Sequence, residues 1–386
     1  MNYFRKIELC VLLGASLLAG SVSAQSEQWL QYRTSREGRA SRWLVVTTNA
    51  PAGVALPKFN APPYFLRWTT PMDPAGGRWI CLDRARRSGP YDRLIMDTDG
   101  TGRLDNKAAI SAERVDEYYA YFPPLKITFK GEDGPITYHL VLRSYLNRNS
   151  PPELLLSSGG WYEGKVDLGG KKRLIQLIDG NVNGTFNDMA PNPYDSDRVR
   201  VDGDKVGERF LGRMLEVEGQ FFHVEVARDG AFVKVQKLED VAVAPVRVPE
   251  NIAEIATFGE NGHFVRKPEK GEFTLPTGKY RILSWRIDRK DDKGAAWTLE
   301  GRNFPEAAGI EVAAGNPLTL DVGEPVHALL DARDLTNREV AFNLRFEGRL
   351  GESIEILRGG QRPRGPQLTL TNSDGTFCYT NSFEFG

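Results

Sequence analysis

Cysteine is almost missing from this 386-residue chain: there are three, and no Cys-x-x-Cys. That excludes a zinc ribbon and thioredoxin-type redox work. Histidine is as sparse. His139, His223, His263 and His327 are the four, and none falls in a His-Glu-x-x-His spacing. There is no Gly-x-Ser-x-Gly elbow, no P-loop and no dinucleotide fingerprint. Neither sign of charge dominates: the formal net charge is −1. This balance offers nothing to draw in nucleic acid or an anionic membrane. Past the N-terminus no apolar run is long enough to cross a bilayer. Long helical periodicities are rare, while glycine and proline are frequent, which predicts a mainly β chain.

What is present begins with an export signal. Arg5 and Lys6 precede an apolar run from Leu9 to Ala19, and Val22-Ser23-Ala24 supplies small residues for cleavage. We expect residues 1–24 to be a cleaved signal peptide and the protein to be secreted or periplasmic. Cys10 lies in that run without a lipoprotein box, so lipidation is not expected. Cys81 and Cys378 remain, and the sequence leaves open whether they pair.

The rest divides into three expected domains. The first, 25–157, is β-rich and carries an acidic loop at 97–105. The second, 158–241, is a β-meander with an acidic loop at 179–188. The third, 250–386, is a β-sandwich of immunoglobulin-like type, reached through a linker or crossing strand over 242–249. Soft punctuation at Ser150-Pro-Pro and Ser157-Ser-Gly-Gly sets the first boundary. Glu132-Asp133-Gly134 predicts a hairpin between Lys126–Phe129 and Ile136–Leu142, and Gly169-Gly170 predicts another between Trp161–Leu168 and Arg173–Ile178. Among few short helices, one is expected over 106–121, from the spacing of Ile110, Val115, Tyr118, Tyr119 and Phe122 ahead of Pro123-Pro124.

The chemistry concentrates in the two acidic loops. Calcium takes six to eight oxygen ligands, and a loop with oxygen donors at positions 1, 3 and 5 and glycine at 6 can curl around it. The first loop offers Asp97, Asp99 and Thr101, then Gly102, the Arg103 carbonyl and Asp105. The second offers Asp179, Asn181 and Asn183, then Gly184, the Thr185 carbonyl and Asn187, with Asp188 able to complete the shell. Both follow an apolar strand, and both place an apolar residue, Leu104 or Phe186, after the carbonyl. A degraded third run holds Asp195, Asp197, Asp202 and Asp204, whose acids could instead complete the second site. The alternative for all three is plain turn chemistry, since Asp, Asn and Gly make turns without metal.

These loops resemble EF-hand and dockerin calcium loops, but position 12 is Ala108 or Ala190 in place of the bidentate glutamate. The resemblance therefore implies weak structural calcium sites, with Kd of about 10⁻⁴ to 10⁻³ M. The run from Gly164 to Asp204, with a similar one from Tyr91 to Asp105, resembles a class of uncharacterised secreted bacterial β-rich proteins. That resemblance implies export and β-structure and carries no activity. The stretch Gly271–Leu283 resembles the strand-turn-strand of carboxypeptidase-regulatory-like sandwich modules.

The function expected is an exported, non-enzymatic scaffold or surface protein with one or two structural calcium loops. A carbohydrate-binding accessory module is the alternative, with Trp161-Tyr162, Trp285 and Trp297 as stacking surfaces or as core. A secreted hydrolase with a carboxylate pair is a further one. Partners beyond carbohydrate or cell-surface components are not legible.

Overall fold

Apolar and polar residues alternate along most of the chain, and in the computed structural model this period-two pattern becomes antiparallel strands. The structure describes residues 27–146, 151–204, 206–305, 309–334 and 339–383. The expected signal peptide, Cys10 and the punctuating Ser150 lie outside them. Among the described residues the one helical element is a 3₁₀ turn at Pro193–Asp195, and no helix is long and apolar enough to cross a membrane.

The chain forms several separate sheets over two principal cores. The first core runs from Leu30 to Val233. A six-stranded sheet contributes to it through Ser41–Val45, Glu153–Ser158, Pro135–Tyr145, Tyr119–Tyr121 and Arg114–Val115, with Leu125–Lys130 also pairing Pro135–Tyr145. A five-stranded sheet is built on Gly160–Leu168, Lys171–Ile178 and Arg198–Val201, with Gln31–Thr34 and Glu208–Phe210 at its edges. Two four-stranded sheets complete the body, one holding Tyr64–Thr69, Gly77–Asp83 and Arg93–Met96, the other Met214–Val217, Gln220–Val226 and Phe232–Leu238.

The expected break at 157/158 does not interrupt this core. Gln31–Thr34 pairs with Gly160–Leu168, and Glu27–Trp29 pairs with Phe232–Leu238, so the N-terminal strands are stitched into the later sheets. There the chain passes from strand Glu153–Ser158 of one sheet through Gly159 straight into Gly160–Leu168 of another.

The second core runs from Ala244 to Ile354. Ala244, Val246, Phe273 and Leu275, from a three-stranded sheet, face Ile255, Phe264, Tyr280 and Trp285 of an eight-stranded one, a two-layer sandwich. The segment expected as a linker or crossing strand supplies strand Val243–Arg247 of this sandwich, paired antiparallel with Glu272–Pro276 and parallel with Leu318–Thr319. The two bodies meet where Phe210 packs on Phe258, 5.4 Å between centroids, and Arg266 pairs with Glu216 at 2.7 Å.

Both expected hairpins are present. Leu125–Lys130 pairs with Pro135–Tyr145, and Tyr138, Leu140 and Leu142 point into the core. Gly160–Leu168 pairs with Lys171–Ile178 through a two-residue turn, Gly169 at φ 65° and Gly170 at φ 90°. Two successive positive φ values make a type I′ turn, which glycine adopts without steric cost. The expected helix over 106–121 is instead three short strands, Ile110–Ser111, Arg114–Val115 and Tyr119–Tyr121. Asp116 is the reason. Its Oδ1 accepts from the backbone N–H of Tyr118 and Tyr119 at 3.0 and 2.8 Å, which ties a turn where a helix would have to continue. Tyr119–Tyr121 then pairs with Pro135–Tyr145. Cys81 is buried, Cys378 is exposed, and both are free thiols.

The turn geometry makes a direct prediction. Gly170→Val forces a β-branched residue to positive φ and should cost about 1–2 kcal/mol in urea-induced unfolding. An unchanged midpoint would show that the turn tolerates another conformation.

Candidate metal centre

The Asp179 loop leaves the end of strand Lys171–Ile178 and is fully enclosed at its first residue. Asp179 Oδ1 accepts from the N–H of Asn183 at 3.2 Å, and Oδ2 accepts from the N–H of Gly184 at 2.7 Å and the hydroxyl of Tyr138 at 2.8 Å. Asn181 Oδ1 accepts from the Asn183 N–H at 3.2 Å, and Asn183 Oδ1 accepts from the Thr185 N–H at 2.8 Å. Asn181 and Asn183 each tie the backbone two residues on and Asp179 ties it four and five residues on, which winds the loop inward.

Asp188 is where the loop side chains meet. Its Oδ2 receives Nδ2 of Asn181 at 3.2 Å, Nδ2 of Asn183 at 2.7 Å and the Thr185 hydroxyl. Asp197, from the degraded third run, closes the far side. Its carboxylate accepts from the N–H of Gly180 at 3.0 Å and of Asp188 at 2.8 Å. Asn187 is exposed and stands outside this network.

Two backbone features hold the loop. Val182 sits at φ 57°, a conformation a β-branched residue rarely takes, and its carbonyl accepts from Trp68 Nε1 at 2.7 Å. Gly184 sits at φ 93°, and a Cβ there would lie 3.1 Å from Thr70 Oγ1 and 3.3 Å from the Phe129 ring. Only glycine fits.

The first loop repeats this backbone. Asp97 Oδ1 accepts from the Thr101 N–H at 3.0 Å and Oδ2 from the Gly102 N–H at 2.7 Å. Gly100 and Gly102 have positive φ, as Val182 and Gly184 do in the second loop. The electrostatics differ. The Lys107 ammonium lies 3.4 Å from Asp97 Oδ1 and also pairs with Asp99. Arg103 forms a two-pronged pair with Asp105, at 3.0 and 2.6 Å. The first loop therefore carries its own cations.

In the second loop no lysine or arginine forms an ion pair with Asp179, Asp188 or Asp197 among the described residues. Burial pushes the Asp179 carboxyl up to about 6 and the Asp197 carboxyl well above the ordinary 3.8. The charges of Asp179 and Asp188 add to the rise at Asp197. Among the described residues no three His, Cys, Asp or Glu side chains are grouped to hold a metal. A cation here would rest on amide, hydroxyl and backbone oxygens as well as carboxylates, a donor set that suits a hard ion.

The remaining expected residues disperse. Of the third run, Asp204 pairs with Arg209 and Asp202 is exposed. His139 stacks on Tyr32, with centroids 5.7 Å apart, and His223 lies 3.3 Å from Glu225. His263 sits at the junction of the two cores, where burial and nearby Arg209 hold its imidazole down to about 4. Trp285 is core, 1% exposed, and its Nε1 donates to Glu352 at 2.6 Å. Trp297 donates to Asp291 and Trp161 to Glu163. Lys107 and Tyr138 were missed because nothing in the local sequence ties either to its loop. No protein family, curated protein or solved structure matches the chain.

Two predictions follow from the contrast between the loops. The raised carboxyls mean that the folded chain takes up protons before the unfolded one does. With chelator present, the burial penalty at Asp179 is complete above about pH 6 and is relieved as pH falls toward 3.8. His263 has the opposite sign, losing stability from 6.5 down to about 4, so the Asp179 contribution is read as wild type minus Asp179→Asn. That difference should rise by on the order of 1–3 kcal/mol between pH 7 and 4; a flat difference contradicts the burial argument. In the first loop, Lys107→Met leaves Asp97 without its ammonium and should destabilise by about 1–3 kcal/mol, measured by thermal melting.

Proposed function

We propose that this chain is an exported β-rich scaffold or surface protein whose Asp179–Asp188 loop holds one structural calcium ion. The observation that carries the reading is the buried carboxylate pair, Asp179 and Asp197, with Asp188 beside it and no basic ion-pair partner among the described residues. Desolvated negative charge is costly unless it is paired, and a divalent cation would pair it. Asp179, Asn181, Asn183, Thr185 and Asp188 would supply side-chain or carbonyl oxygen. Turning the Asn181 and Asn183 amides over would present their oxygens where their nitrogens now face Asp188.

The first loop is left out of the proposal because Lys107 already neutralises it. Export rests on the signal-like N-terminus, and the surface or scaffold role rests on the absence of a readable catalytic constellation. The resemblance to uncharacterised secreted bacterial proteins belongs to the same reading, and it carries no activity.

Such a loop acts as a clip. With ~1 mM free calcium and a site of ~0.1 mM, binding adds about 1.4 kcal/mol to stability. Thermal melts in 1 mM calcium and in EGTA should differ by roughly 2–4 °C. Asp188→Asn keeps an acceptor oxygen at the meeting point but removes its charge, and should abolish that difference. Asp99→Asn should leave it intact. A wild-type melt indifferent to calcium, or a response lost in Asp99→Asn, would overturn the proposal.

A further inference from the structure

Strands Gly77–Asp83 and Arg93–Met96 are adjacent and antiparallel, and the loop Arg84–Asp92 joins them. The feet of this loop are pinned. The Asn60 side-chain amide donates to the carbonyls of Arg84 and Ala85 at 3.0 and 3.2 Å, and the Ala85 N–H donates to Asp92 Oδ1 at 2.8 Å. On the return side the Tyr91 hydroxyl donates to the Pro62 carbonyl at 3.1 Å, and the Arg84 guanidinium lies over the Tyr91 ring, 4.3 Å from its centroid. The tip is bare. Arg86, Arg87, Ser88, Gly89 and Pro90 are all exposed, and among the described residues they make no hydrogen bond, ion pair or ring contact. The sequence here reads Arg84-Ala-Arg-Arg-Ser. The other adjacent basic pairs among the described residues are held by a strand or followed by proline. Lys171-Lys172-Arg173 is paired with Gly160–Leu168, and Arg289-Lys290 is paired with Ala296–Arg302. Arg266 is bonded to Glu216 and to the Thr274 carbonyl, and Pro268 follows Lys267.

We propose that the Arg87–Ser88 bond is a cleavage site for a serine protease that reads paired basic residues, and that the cut yields a two-chain form of this protein. Such an enzyme grips guanidinium groups in acidic pockets and lays the substrate backbone along its cleft. Arg86 and Arg87 bring two guanidinium groups that give up no partner on entering those pockets. The bond-free stretch Arg86–Pro90 reaches roughly 17 Å when extended, enough to carry the scissile bond away from the sheet. Backbone held in a ladder cannot do this, which is why nicking concentrates at exposed loop tips. Hydrolysis consumes one water. The bond from the Arg87 carbonyl carbon to the Ser88 nitrogen breaks, the water hydroxyl goes to the carbon and the remaining proton to the nitrogen. The pieces stay together, because four strand pairings cross the cut. Glu27–Trp29 pairs with Phe232–Leu238, Gln31–Thr34 with Gly160–Leu168, Ser41–Val45 with Glu153–Ser158, and Gly77–Asp83 with Arg93–Met96. The same bareness marks the loop as substrate and not inhibitor. A loop that blocks a protease is held in its bound shape beforehand, and this tip has no bond to hold it. The inference needs no calcium at the Asp179 loop.

The test is digestion of the folded full chain with a limiting amount of a subtilisin-like protease specific for Arg-Arg and Lys-Arg pairs. Intact-mass spectrometry locates the first cut, and gel filtration with and without denaturant shows whether the pieces stay together. Circular dichroism shows that each variant is folded. The first cut should fall after Arg87, and the product should elute as one species in buffer and as two pieces in denaturant. Arg87→Ala should slow that cut about a hundredfold or more, the discrimination expected when a pocket built for a charged group is left unfilled. Lys172→Ala should leave the rate unchanged. A folded chain that resists the enzyme while the heat-unfolded chain is cut, a first cut at another bond, or an unchanged rate in Arg87→Ala would overturn the proposal. So would pieces that separate in buffer. An intact chain that inhibits the protease would make the loop an inhibitor's and would overturn it as well.

Discussion

The negative charge enclosed at Asp179 is the constraint on which the first body depends. Four sheets are tied to the loop that Asp179 begins. Tyr138 reaches it from the six-stranded sheet, and Trp68 reaches the Val182 carbonyl from a four-stranded one. The N–H of Phe186 donates to the Arg228 carbonyl beside the meander, and Gly180 is held by Asp197, the residue before strand Arg198–Val201 of the five-stranded sheet. The Phe186 ring packs on Tyr162 and Tyr138, so the loop is also a piece of the hydrophobic core. A carboxylate at such a junction orders many backbone groups at once, because its lone pairs accept several N–H and O–H donors. The cost is desolvation of its charge, which hydrogen bonds offset only in part. Whatever neutralises that charge, whether a proton or a cation, stabilises the junction of all four sheets.

The first loop shows how the same backbone can be neutralised internally. Asp97 takes the same two N–H bonds as Asp179, and Leu104 is buried as Phe186 is. There Lys107 occupies the charged side of the loop. One chain thus holds two copies of a turn that differ in the source of the positive charge. This contrast favours a single ion over two.

Much of this was legible because strands and turns have short-range signatures. Alternation at Ile136–Leu142, the Gly169-Gly170 pair, and oxygen-bearing residues at Asp179, Asn181 and Asn183 specify local geometry by themselves. What escaped required knowledge of distant partners. The spacing of Val115, Tyr118 and Phe122 fits a helix, but the Asp116 side chain and pairing with Pro135–Tyr145 make a hairpin and an edge strand. Lys107 sits ten residues beyond Asp97 and could have pointed anywhere. Asp197 was legible only as part of a poor loop of its own, and its place against Gly180 and Asp188 comes from strand pairing. The pairing of the N-terminal strands across 157/158 likewise joins residues far apart in sequence.

The most direct measurement is the number of calcium ions bound per chain at neutral pH, by equilibrium dialysis or calorimetry over the millimolar range. One ion, lost in Asp188→Asn and kept in Asp99→Asn, is the predicted result. No bound ion would contradict the account, leaving Asp179 as a turn former alone; two ions would contradict the role assigned to Lys107.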